Sequence, residues 1–95
     1  MRLQKPIKLR ERNVEQYLVN RVRMLGGEVR KVQWIGRRGA PDRLVMLPGR
    51  NPVLVELKAP KGRLSKLQER EHEILRQWFV VHVVWSLDAL NEVFA

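Results

Sequence analysis

The stretch GAPDRLVMLPGRNPVLVELKAPKGR, residues 39–63, decides how the rest of the chain is read. Two runs inside it, Leu44–Leu47 and Val53–Leu57, are apolar enough for core strands. The segment between them, Pro48 to Pro52, is dense in turn formers and should join them as an antiparallel hairpin. Against that apolar background Asp42 opens the first run, while Glu56 and Lys58 stand at the end of the second. Ionised groups in such places need a reason, because burying an unpaired charge is costly.

Strand geometry brings the three together. Side chains alternate, so Val53, Val55 and Leu57 share one face while Leu54, Glu56 and Lys58 share the other. Asp42 begins the antiparallel partner and so lies near the end where Glu56 and Lys58 project. Two carboxylates that close repel each other unless a cation sits between them. A hard divalent cation such as Mg²⁺, which prefers oxygen ligands, resolves the conflict. Lys58 can then orient a water beside it or stabilise charge building on a phosphate. A plain salt-bridge cluster competes with this reading, and Glu-x-Lys alone would favour it. The pairing with Pro41-Asp42, inside the most basic part of the chain, reverses that balance.

Working outward, Asn13 and Gln16 form a capping-box pattern for a first helix, with Val14, Leu18, Val22 and Leu25 on one face and Gly26-Gly27 as its stop. Residues Glu28 to Trp34 alternate as a first strand, and the loop IGRRGAP leads to a second over Arg43–Leu47. The third covers Val53–Lys58. Ser65 and Gln68 make a second capping box for a helix to about Trp78. Phe79 to Ser86 reads as a buried strand, and Leu87 to Phe94 as a short closing helix. The predicted fold class is α/β, a single layered domain in the order α-β-β-β-α-β-α. Its mixed central sheet is flanked by helices.

Ninety-five residues make one domain, read as 1–95 with residues 1–12 as a basic N-terminal arm. No apolar run approaches membrane-spanning length, and with no cysteine there are no disulfides or cysteine zinc sites. His72 and His82 lack a second histidine at ligand spacing. The expected location is an intracellular, reducing compartment, with no membrane partner. The net charge of +9 is uneven: residues 1–68 hold seventeen of nineteen bases and five of ten acids, a balance of +12 against −3 for the remainder. Such concentration points to phosphate contact rather than a merely solvated surface.

Pro41-Asp42 followed fourteen residues on by Glu56-Leu57-Lys58 resembles the PD-(D/E)XK nuclease motif. The longer strings LGGEVRK, RRGAPDRLVMLPG and VELKAPKGRLSKLQEREHEIL are similar to its VRR-NUC branch, over roughly Asn13 to Phe94. The chain looks like the small stand-alone proteins of phages and bacteria, which implies a cytoplasmic location in a bacterial or phage-infected cell, beside the nucleoid. The resemblance implies a restriction-endonuclease-like fold and a metal-dependent endodeoxyribonuclease. It further implies a homodimer, similar to Holliday junction resolvases, that cuts branched DNA with Mg²⁺ or Mn²⁺, as in DNA repair. By the same resemblance Asp42 and Glu56 are metal ligands with the Leu57 carbonyl as a third, and Lys58 is the catalytic lysine. A further helix acid fits Glu15, with Glu11 as the alternative. Glu15 reads equally as a first-turn glutamate favoured by the helix dipole. Gln68 matches a glutamine near the metal and is also a cap, and the two roles are compatible.

Arg37, Arg38, Lys61 and Arg63 lie in loops leading into the motif strands and are expected to contact phosphates. Lys31 either reaches the site or is a solvated strand residue. Among the aromatic residues, Trp78 and Trp85 are expected in the core. Trp34, near the Arg37-Arg38 loop, is the candidate for stacking on unpaired bases. Relatives often carry a glycine between the second helix and last strand; RQWFVV here puts that turn in question. Two other functions fit the same residues: a non-catalytic nucleic-acid-binding module of this fold, and a structural subunit of a larger assembly.

Overall fold

The structure, a computed structural model, describes residues 11–94; the basic arm expected over residues 1–12 lies for the most part outside them. Seven elements follow in the predicted order: α1 (Glu11–Met24), β1 (Glu28–Lys31), β2 (Arg43–Met46), β3 (Val53–Leu57), α2 (Lys66–Leu75), β4 (Val81–Val84) and α3 (Leu87–Val93). The sheet order is β1-β2-β3-β4. The first three strands are antiparallel neighbours, and α2 carries the chain back so that β4 lies parallel to β3. This is the expected mixed sheet.

The two faces differ in size. Val14, Leu18 and Val22, at intervals of four along α1, pack with Leu90 and Phe94 over Val45, Val55, Leu57 and Val84. Leu18, Val22, Val55 and Leu90 are fully shielded from solvent. At about 1.5–3 kcal/mol for each such side chain, this face, with nine buried residues against three on the other among the described residues, contributes the larger share of the apolar burial. The Tyr17 hydroxyl donates to Asn91 Oδ1 at 2.9 Å and ties α1 to α3. The other face is thinner: Leu54, Leu75 and Val81 with Trp34, Ala40, Leu44 and Phe79. Toward the C-terminal end of β3 this smaller core gives way to polar groups.

Several boundaries and burials depart from expectation, each for a local reason. Asn13 lies inside α1 rather than at its start, so the first capping box does not form, and Gln16 donates instead to Asn20. Leu25 is exposed, because it falls past the last helical residue where Gly26, at φ +82°, turns the chain away. The second capping box is present as predicted, with Ser65 and Gln68 bonding each other's backbone N–H groups. Helix α2 stops at Leu75 instead of Trp78, and the turn closes with no left-handed residue through Trp78 N–H and Phe79 N–H donating to the Leu75 carbonyl. Trp78 and Trp85 are not core residues: 70% and 38% of their surface remains exposed. Both lie just outside regular elements, where hydrophobicity alone does not fix direction.

Candidate functional site

Asp42 and Glu56 meet through the hairpin. Arg43 pairs with Val55 and Leu44 with Leu54, so the same register carried one residue on sets Asp42 opposite Glu56. Leu44 and Leu54 belong to the smaller core, which assigns Asp42, Glu56 and Lys58 to that α2-facing side by alternation. The Lys58 ammonium donates to Gln68 Oε1 at 3.0 Å, the same oxygen that accepts the Ser65 backbone N–H at 2.9 Å. One amide oxygen thus fixes both the start of α2 and the position of the lysine. The Leu57 side chain is buried toward α1 and α3, so only its backbone could serve the site.

Glu15 also reaches this end of the sheet, through an intermediary. Arg43 is buried at 5% exposure, and its guanidinium lies 2.9 Å from Glu15 Oε2 and 2.8 Å from Asp42 Oδ1. Burial works to lower its pKa, but the two carboxylates outweigh that and raise it, so the group is a permanent cation. The contact to Asp42 has ion-pair distance without hydrogen-bond alignment. Sequence reasoning counted Arg43 only among the basic residues. Its burial depends on an acid on α1, a pairing that strand periodicity does not encode. The side chain of Glu11, the alternative helix acid, lies outside the described residues.

Behind Glu56 sits His72, fully buried on the α2 face that also carries Gln68 and Leu75. Its Nε2 is 3.8 Å from Glu56 Oε1, too long for a hydrogen bond. Burial first, then Arg76 and Lys58, push its pKa down; the Gly39 backbone and Glu71 oppose this, Gly39 without hydrogen-bond alignment. We therefore read the contact as a neutral imidazole against the glutamate, not an ion pair. The signal for His72 was available, since it falls four residues after Gln68 and three before Leu75.

His82 is shifted in the same direction by burial and Arg76. Both imidazoles resist protonation in the fold, whereas in the unfolded chain they titrate at the ordinary value of 6.5. The unfolded state then binds more protons below that value, so stability present in full above it is lost as pH falls. The melting temperature is expected to drop between about pH 7.5 and about pH 5. A flat or rising profile would contradict buried neutral histidines.

The loop before β2 carries Trp34, Arg37 and Arg38, beside Lys31 at the end of β1. A cavity of about 570 Å³ is lined by Lys31, Trp34, Arg37 and Asp42 among others. The Trp34 indole N–H donates to the Pro41 carbonyl at 3.0 Å, which fixes the approach to Asp42. Arg37 is ion-paired with the buried Glu71 on α2, so it anchors the loop even where half its side chain is exposed. Arg38 lines a second hollow with Arg37 and Arg70. Lys61 and Arg63 are exposed beyond Lys58. Glu56, Lys58 and Gln68 stand outside the first cavity, so the loop and the strand ends form two adjoining parts rather than one enclosed pocket. Gly39, which the sequence reading passed over, lies at φ +85° with its Cα against the Leu67 and Gln68 backbone.

Asp42 and Glu56 themselves offer carboxylate oxygens, with the neutral His72 imidazole against Glu56 from behind. Among the described residues no three of His, Cys, Asp and Glu form a group that could hold a metal ion. A hard cation that keeps much of its water and uses one or two carboxylates does fit. Among the described residues no helix is long and apolar enough to cross a membrane.

Over 81 residues the chain is 43% identical to "Putative nuclease p44" of Acyrthosiphon pisum secondary endosymbiont phage 1, a match covering 85% of each protein. A solved structure described as "VRR_NUC domain" superposes with a TM-score of 0.79 at 38% identity, covering 88% of this chain and 92% of that one. No protein-family model matches the chain. Close identity over most of both chains, shared with the order of helices and strands, shows that this protein belongs to the VRR-NUC family of nucleases.

Proposed function

We propose that the protein is a divalent-metal-dependent endodeoxyribonuclease selective for branched DNA. The observation that supports it most is the row Asp42, Glu56, Lys58 on one face at the hairpin's open end, with Gln68 fixing the lysine. Mg²⁺ or Mn²⁺, held by Asp42, Glu56 and the Leu57 carbonyl, would neutralise phosphate charge and activate water. Lys58 stabilises the charge that develops on the phosphate and orients the incoming water. Glu15, tied to Asp42 through Arg43, completes the acid set, and Gln68 holds the lysine in place. Hydrolysis joins the water oxygen to phosphorus as the P–O3′ bond breaks, leaving a 3′-hydroxyl and a 5′-phosphate.

Lys31, Arg37, Arg38, Lys61 and Arg63 contact the backbone phosphates, and Trp34 stacks on an unpaired base. Two copies related by a two-fold axis would make paired cuts across a four-way junction. One observation favours a second reading, a binder without catalysis: Asp42 is already paired with Arg43, as a structural salt bridge would be.

The test is cleavage of labelled four-way junction, flap, single-stranded and duplex DNA, with Mg²⁺, Mn²⁺ or chelator, by the parent and Asp42→Asn. Metal-dependent cutting that favours the branched substrates and is lost in Asp42→Asn is the expected result. Binding without cutting, unchanged by Asp42→Asn, would assign Asp42 to the salt bridge and the protein to the binding class.

A further inference from the structure

Strand β3 runs into Lys58 and strand β4 into Trp85, and because the two strands are parallel both residues emerge at the same end of the sheet. The Lys58 N–H donates to the Val84 carbonyl at 2.9 Å, so Trp85 follows directly on the residue that holds the lysine backbone. Trp78, the more exposed indole, precedes β4 and lies at the opposite end. Of the two misplaced tryptophans, only Trp85 is beside the candidate site.

Its ring is held as a platform. The indole N–H donates to the Gly62 carbonyl at 2.7 Å, which satisfies its one polar group and fixes the ring against the loop after Lys58. What remains for a ligand is apolar ring surface, 38% of the residue being open. That surface lines a hollow together with Gly62, Arg63, Leu64, Lys66 and Glu69. Arg63 and Lys66 supply charge for phosphates. Glu69 repels a phosphate but can accept from the amino edge of a base.

We propose that Trp85 is a stacking site for an unpaired nucleobase, with Arg63 and Lys66 holding the adjoining phosphates, on the Lys58 side of the candidate site. Base–aromatic stacking tolerates any base, so the ligand class is single-stranded DNA or the unpaired arm of a branched substrate. Trp34, pinned in the same manner to Pro41, flanks the other side at Asp42. The unpaired strand would then cross the Asp42–Glu56–Lys58 row between two indoles. This placement rests on the nuclease reading for its meaning, but the binding does not require cutting.

The experiment measures binding of labelled single-stranded and duplex oligonucleotides of equal length in chelator, where no cleavage takes place. Trp85→Ala is expected to weaken single-strand binding about 5- to 100-fold and duplex binding by less than about 2-fold. Trp85→Phe keeps a ring but loses the N–H, and should retain most of the affinity. Equal loss on both nucleic acids, or no loss, overturns the proposal. A Phe variant as weak as the Ala variant also overturns it, since the cause would then be the Gly62 hydrogen bond. Should Trp85→Ala fail to fold, quenching of indole fluorescence by the single strand decides: it must fall in Trp85→Phe relative to the parent. Binding that behaves as expected in a protein that never cleaves would retain this site while removing the nuclease proposal.

Discussion

Lys58→Ala is expected to lower cleavage about 10²- to 10³-fold, the usual loss when a fixed donor to developing charge is removed. The melting temperature should stay close to that of the parent. The side chain is only partly buried, and its hydrogen bond goes to Gln68 Oε1, an oxygen that still accepts the Ser65 N–H in the variant. No buried group is orphaned, so the change subtracts chemistry and leaves the fold. Lys58→Arg should not rescue fully, because a planar guanidinium cannot meet the same oxygen with the same reach. Cleavage within about 3-fold of the parent would remove Lys58 from the reaction, given that catalytic donors cost orders of magnitude.

Gly39→Ala should damage both stability and activity. The backbone there is at φ +85°, a conformation that costs a residue with a side chain about 1–3 kcal/mol. An added Cβ would also lie 2.9 Å from Leu67 and Gln68 backbone atoms, which cannot swing aside as a flexible side chain would. For a domain this small the melting temperature is expected to fall about 5–20 °C. The loop carrying Asp42 would be pushed from the first turn of α2, where Gln68 holds Lys58. A shift of about 1 Å between reacting groups is worth about 10²-fold in rate, so cleavage should fall by that order even below the new melting point. A variant that melts low but cuts normally when folded would show that loop and helix need not touch for activity.

Much of this arrangement was legible in residue order. Alternation in Val53–Leu57 assigned Glu56 and Lys58 to one face, and the Pro48–Pro52 turn required the pairing that brings Asp42 opposite Glu56. Ser65 and Gln68 were readable as a cap because a capping box is local, contained in four residues. What escaped was set by distance along the chain. Arg43 looks like a solvated strand residue until Glu15, 28 positions earlier, is packed above it. The inward side of His72 could be read from its spacing to Gln68 and Leu75, but its neighbour Glu56 comes from another element. Asn13 misled for the opposite reason: the local cap pattern was present, but α1 already runs through it. Trp78 and Trp85 were expected inside on size alone, whereas the thin α2-facing core is built on Leu54, Leu75 and Val81 with Trp34, Phe79, Leu44 and Ala40 packed against them.

The buried guanidinium of Arg43 has a consequence for how the protein is made and kept. Glu15 and Asp42 carry a counter-ion that is covalently part of the chain, so its supply does not depend on cellular cation levels. The acids can come together as the chain folds, with no added ion between them. A domain built this way can wait, complete in shape, between one encounter and the next.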